Sequence, residues 1–201
     1  MRPANEALLV IDVQNDFCPK GALAVTDGDT IVPLINDMLG QYQTRVFTQD
    51  WHLAGHASFA SSHADRAPFE MIEMPYGPQV LWPDHCIQGS NGAAFHPDLR
   101  TDSADVIIRK GMDPSLDSYS AFFENDHVTP TGLAGYLSAR GITLVRLVGL
   151  ATDYCVFYSA LDAAGLGLDV EVDRAACRAI DLDGSLKAAE ARMVSKGIKL
   201  L

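Results

Sequence analysis

Cysteine is scarce and scattered in this chain. Cys18, Cys86, Cys155 and Cys177 form no CxxC pair, so free thiols are expected rather than a disulfide framework. Positive charge is also short. The 15 Lys and Arg residues face 26 Asp and Glu, a net charge of -11, which argues against nucleic acid and anionic membranes as partners, since both require clustered cations. No apolar run is long enough to cross a bilayer. The opening MRPANEALLVIDV has no basic start followed by an apolar stretch and a small-residue cleavage site, so the cytoplasm is the expected compartment. No glycine-rich phosphate loop follows a strand-like run, which argues against phosphoryl transfer. Repeats and low-complexity tracts are absent too. A small-molecule substrate is the partner these absences leave, with homo-oligomerisation open.

What is present describes an ordinary globular chain. Its 201 residues are 48% hydrophobic and 20% charged, enough for one ample core, and a single domain over residues 1–201 is expected. Short runs rich in Val, Ile and Leu recur at 7–13 (ALLVIDV), 45–50 (RVFTQD), 105–111 (DVIIRKG), 143–150 (TLVRLVGL) and 169–173 (DVEVD). They read as strands buried on both faces. Helical spacing separates them. Ile31, Leu34, Ile35, Met38 and Leu39 share one face, with Pro33 tolerable in a first turn, and Leu133, Tyr136 and Leu137 repeat the pattern ahead of a terminating Gly141. SLKAAEARMVSKG closes the series before a final IKLL. This alternation predicts an α/β fold of three layers, a doubly wound, mostly parallel sheet with helices on both faces, whose ligands belong at the carboxyl ends of the strands. Residues 51–104 hold many Gly, Pro, His and Asp without a sustained period and are expected to form an irregular insertion.

Chemistry-bearing residues fall at the predicted strand ends. Asp12 closes the first strand within VIDVQNDF; a turn-forming Asp would look the same. An aspartyl-phosphate enzyme would want a second Asp two residues on, where Gln14 stands. In QDWH, Asp50 and His52 lie two apart and point the same way in extended chain, so they can share a cation, with His85 of WPDHC as a third donor. One Asp and two His suit zinc, iron or manganese with positions left open. His56, His63, His96 and His127 compete for the same role. Lys110 ends the third strand, where burial beside a carboxylate would keep both charged. Cys155, in GLATDYC, sits between a strand and a helix. There the exposed N–H groups and the macrodipole favour thiolate, and the turn aims N–H groups at an oxyanion. A structural buried cysteine is the competing reading, and it suits Cys177 better.

Taken in order, VIDVQNDF, QDWH, WPDHC, KG and GLATDYCV resemble the isochorismatase-like cysteine hydrolases and, within them, the nicotinamidases, across essentially the whole chain. NDFCPKGALAV and DSYSAFF add subfamily detail. The resemblance implies a catalytic triad of Asp12, Lys110 and Cys155. It further implies one divalent ion, zinc with iron or manganese as alternatives, on Asp50, His52 and His85. A cis peptide at Leu150–Ala151 would provide an oxyanion hole from the N–H groups of Ala151 and Cys155. Phe17 and Trp82 would line the ring pocket, and His56 stays outside the site. The implied reaction is hydrolysis of nicotinamide to nicotinate and ammonia through a thioester, with pyrazinamide as a second substrate and nicotinamide salvage for NAD as the setting.

Three other readings compete. An amidohydrolase of the same family acting on a carbamoyl or ureido compound would generally lack the metal ligands. A catalytically silent metal-binding or scaffold protein would not need the triad. A thiol redox protein would need a resolving cysteine near Cys155, for which Cys177 is a poor candidate. Isochorismatase proper lacks the nucleophilic cysteine.

Overall fold

The computed structural model describes residues 1–201. Six parallel strands form the central sheet in the order β5-β2-β1-β6-β7-β8. They are β1 (Glu6–Ile11), β2 (Thr44–Asp50), β5 (Val106–Lys110), β6 (Leu144–Leu150), β7 (Asp169–Arg178) and β8 (Lys199–Leu200). The helices are α1 (Val32–Leu39), α2 (Leu133–Ala139), α3 (Phe157–Gly165) and α4 (Ser185–Ser195). None is long and apolar enough to cross a membrane.

The period of two along the strands divides the core. Leu8, Val10, Phe47, Val148 and Leu150 face one layer, where Val32, Ile35 and Leu39 of α1 cover them. Ala7, Leu9, Ile11, Val145 and Leu147 face the other, against Leu133 and Leu137 of α2, Ala160 and Ala163 of α3, and Met193 of α4. A strand can be apolar at every position only if both faces are covered, and β1 has that burial. The edge strand β5 does not. Ile107 is 45% exposed, so an apolar run alone overstates its burial.

The helix boundaries follow the local sequence. Pro33 lies in the first turn of α1, where its missing N–H costs no intrahelical bond. Beyond α2, Gly141 takes a φ of 65° and the chain folds back through Ile142 N–H to Leu137 O at 3.1 Å, a glycine-type helix end. β7 runs to Arg178, past the 169–173 read from sequence. Across an irregularity between Leu147 and Gly149, Cys177 pairs with Gly149 and Arg178 with Leu150. Residues 51–104 contain a separate antiparallel hairpin, β3 (Met71–Met74) with β4 (Gly77–Val80), and two short 3-10 turns. Isolated bridges close this segment on itself at His52–Ile87 and Phe59–Trp82, and one at Gln14–Phe95 ties it to the chain after β1.

Candidate active site

The carboxyl ends of β5, β2, β1 and β6 are neighbours, so their last residues meet on one rim. Parallel register sets Asp50 opposite Lys110. β1 leaves the sheet at Asp12, whose φ of 47° turns the chain away. Lys110 is fully buried. Its Nζ lies 2.8 Å from Asp12 Oδ2 and 2.7 Å from Asp50 Oδ1. Ser118 O is 2.9 Å away and Cys155 Sγ 3.5 Å.

Burial and charge compete differently at each of these groups. Burial disfavours the Lys110 ammonium, but Asp12 and Asp50 outweigh it and hold its pKa well above the ordinary lysine value. Burial would raise Asp50, yet the Lys110 ammonium holds it well below the usual carboxylate range. At Asp12 burial prevails over Lys110, Asp50 adds to it, and the pKa is raised, which strengthens the carboxylate as a base. At Cys155 burial pushes the thiol well above its ordinary value against the pull of Lys110, and the negative charge of Asp12 adds to the rise.

Burial of Cys155, which is 6% exposed, thus works against the thiolate that the helix start favours. The turn itself also differs. Thr152–Val156 is one π-helical turn before α3, a form common at functional sites. The Leu150–Ala151 peptide is cis.

Asp50, His52 and His85 converge beside this cluster. Their donor atoms lie within 4.8 Å of one another, with Asp50 Oδ2 3.2 Å from His52 Nε2 and 3.4 Å from His85 Nε2. The fit to a divalent ion rests on the ring nitrogens. His52 Nδ1 meets Gly111 O at 3.0 Å and His85 Nδ1 meets Pro83 O at 2.8 Å. As Nδ1–H donors to carbonyls, both rings turn an Nε2 lone pair toward Asp50, the usual outer support of metal-bound histidine. His52 Nε2 is buried with no hydrogen-bond partner. Gly111 is required here because a Cβ would stand 2.5 Å from His52 Cε1. A second group, His52, His56 and Asp117, also lies within reach of one ion, but its atoms are engaged. His56 Nδ1 accepts from Ser58 N–H at 3.1 Å and its Nε2 meets Asp113 O at 2.7 Å. Asp117 accepts from Ser118 N–H at 2.8 Å and from Gln79 Nε2 at 2.6 Å. His63, His96 and His127 belong to neither group.

A pocket opens over Cys155 between Phe17, Trp82, Tyr119, Tyr154 and Ile180, with Asp50 and His85 on one side. Aromatic walls, one thiol and a cluster able to hold an ion suit a flat ring that carries a carbonyl.

The isochorismatase domain profile matches residues 6–201. The chain belongs to the isochorismatase family. Its similarity to a nicotinamidase of Acinetobacter baylyi is 52% identity over 200 residues, 99% of this chain and 94% of the relative. The solved structure of an Acinetobacter baumanii nicotinamidase/pyrazinamidase superposes with a TM-score of 0.99 at 53% identity, covering 100% of this chain and 97% of that one. A pyrazinamidase of Pyrococcus horikoshii in complex with zinc superposes at 0.79 with 37% identity, covering 98% of each chain. The parallel sheet with helices on both faces is thus the isochorismatase-family fold.

In this member of the family, Asp12, Lys110, Cys155, Asp50, His52, His85, Ala151, Phe17 and Trp82 all come together at the rim and pocket. Sequence reasoning missed the residues that hold them. Gln14, fully buried, donates through Nε2 to Asp50 O at 2.8 Å and Ala93 O at 2.9 Å, and accepts Asp50 N–H at 2.8 Å. Thr48 bonds Asp12 twice. Asp16 accepts Cys86 N–H at 2.7 Å and Ala22 N–H at 3.1 Å, fixing the chain beside His85. Asp153, two residues before the sulfur, accepts from Ile180 N–H, Asp181 N–H and Ser185 Oγ at 3.1, 2.7 and 2.5 Å. Their signal was available only within the motifs, since none follows a hydrophobic period.

Proposed function

We propose that this chain hydrolyses nicotinamide to nicotinate and ammonia, with pyrazinamide as a second substrate, by covalent catalysis at Cys155. The observation that carries this reading is one buried cluster in which Asp12, Lys110 and Cys155 meet beside Asp50, His52 and His85 under an aromatic pocket.

Phe17 and Trp82 hold the ring and bring the carboxamide carbon to Sγ. Asp12 accepts the thiol proton as sulfur attacks, so thiolate develops only with the bond to carbon. Lys110 stays protonated throughout and offsets the charge of the two carboxylates. The N–H groups of Ala151 and Cys155 receive the tetrahedral oxyanion. As the C–N bond breaks, Asp12 returns its proton to the leaving nitrogen, which departs as ammonia and leaves a thioester. Asp12 then takes a proton from the water that attacks the thioester and passes it to the sulfur as the C–S bond breaks, which restores the thiol; the acid released loses its proton to solvent as nicotinate.

Asp50, His52 and His85 would hold a divalent ion, zinc by the donor set and by the zinc-bound relative, with iron or manganese as alternatives. When bound, the ion supplies a Lewis-acid position for the ring nitrogen. The setting we assign is nicotinamide salvage for NAD in the cytoplasm. A carbamoyl- or ureido-directed amidohydrolase is not favoured, because it would leave those three ligands without a task.

The test is ammonia release from nicotinamide and benzamide by metal-loaded and chelator-treated protein. Benzamide has the same shape without the ring nitrogen. We expect kcat/KM to favour nicotinamide by roughly 10²–10³, below the ~10⁴–10⁵ limit for a lost polar contact because water can refill the position. Chelation should lower nicotinamide turnover and narrow that ratio together. Equal treatment of both amides by loaded protein would remove the recognition role of Asp50, His52 and His85. No ammonia from nicotinamide would overturn the function.

A further inference from the structure

The backbone ladder between β1 and β2 ends early. Its last pair is Val10 with Phe47, yet the two carboxylates that Lys110 bridges, Asp12 and Asp50, lie beyond that point. Side chains close the gap. Thr48 Oγ1 accepts Asp12 N–H at 3.1 Å and donates to Asp12 Oδ1 at 2.5 Å, and both residues are fully buried. One hydroxyl thus uses its single hydrogen on one carboxylate oxygen and its lone pair on the same residue's N–H.

We infer that Thr48 is a positioning residue for the proposed reaction: its hydroxyl fixes the Asp12 carboxylate and leaves Oδ2 as the oxygen that takes the Cys155 proton. Oδ1 is occupied by Thr48. Oδ2 lies at ion-pair distance from Lys110 Nζ but has no hydrogen-bond donor aligned with it, so its lone pair is open. Lys110 Nζ is also 3.5 Å from Sγ, which places the open oxygen and the thiol around one ammonium. The proton passes from Sγ to Oδ2 as the bond from sulfur to the carboxamide carbon forms and the carbonyl π pair moves onto oxygen. Without the hydroxyl the carboxylate can rotate, and Asp12 N–H loses its acceptor.

The inference rests on Cys155 and Asp12 acting as nucleophile and base, and its test separates the two claims. Thr48→Val keeps the shape and removes the hydroxyl; Thr48→Ser keeps the hydroxyl. Two measurements apply to the metal-loaded full chain: kcat and KM for nicotinamide, and the rate at which iodoacetamide alkylates Cys155 at pH 7 without substrate, read on the Cys155 peptide by mass spectrometry. We expect Thr48→Val to lower kcat roughly 10- to 100-fold, the range of a hydrogen bond to a charged group, with KM within about threefold. Alkylation should slow by about tenfold or more. Thr48→Ser should restore both to within about threefold of the parent. Parent-like kcat and alkylation in Thr48→Val, or a Ser variant as slow as the Val variant, would overturn the assignment. Should Thr48→Val not fold, Thr48→Ala against Thr48→Ser on the folded fraction gives the same comparison. A parent chain that releases no ammonia would defeat the functional reading alone, because alkylation still reports proton transfer to Asp12.

Discussion

Lys110→Met should cost this protein much of its stability. The substitution keeps the unbranched stem and deletes an ammonium that lies 2.8 Å from one buried carboxylate and 2.7 Å from another. Removing one partner of a buried pair typically costs about 3–5 kcal/mol, because the remaining charge is left desolvated and unpaired. Here two charges are left. Against a total stability of about 5–15 kcal/mol for a folded protein, that loss is large, and for a chain of this size it corresponds to a fall in Tm of roughly 6–20 °C. The assay is urea unfolding followed by tryptophan fluorescence, in chelator-treated protein so that no other cation meets Asp50. Adding Asp12→Asn to the Met variant removes one of the stranded charges and should recover about 1–3 kcal/mol, a coupling of the size expected for groups in contact. If Lys110→Met unfolds at the parent's urea concentration, the buried ion cluster is not what the distances imply. If Asp12→Asn deepens the loss instead of relieving it, the stranded-charge account fails.

Cys155→Ala should bind nicotinamide and lose nearly all turnover, while Cys86→Ala and Cys177→Ala keep activity; a nicotinoyl adduct found by intact mass on quenched parent enzyme, confined to the Cys155 peptide, checks the assignment, and turnover by the Ala variant would refute it. At Glu171, burial opposes ionisation but the hydrogen-bonded Arg146 overcomes it and lowers the pKa. A lowered carboxylate stabilises the fold above its unfolded pKa of about 4.3 and loses that contribution as pH falls through the folded value. Arg146→Met should therefore flatten the acid side of the stability–pH curve and lower stability at neutral pH. An unchanged acid limb, measured by urea midpoints between pH 3 and 7, would refute it.

The ends of the strands were the legible part of this molecule. A parallel α/β order is readable from alternating apolar runs, and it places Asp12, Asp50, Lys110 and Cys155 on one rim before any coordinate is known. Extent was harder. The RAACR tail of β7 carries no β-branched residue, and only its partner strand draws it to Arg178. Sequence shows a helix start at Cys155 but not how deeply the turn is buried, 6% exposed at the sulfur-bearing residue. Thr48, Gln14 and Asp153 went unseen for a common reason. Each acts through hydrogen bonds across tens of residues, 36 for Thr48 with Asp12, and such pairing leaves no local pattern.

Asp153 ties the turn that carries Cys155 to the last part of the chain to be made. Its three donors come from residues 180, 181 and 185, far downstream of the sulfur they help to hold. A chain that extends only through Cys155 has the proposed nucleophile, base and metal ligands, but none of the three donors that hold the Asp153 carboxylate. Those three bonds can form only once synthesis has passed Ser185, so the turn that carries the proposed nucleophile is held from the far end of the chain.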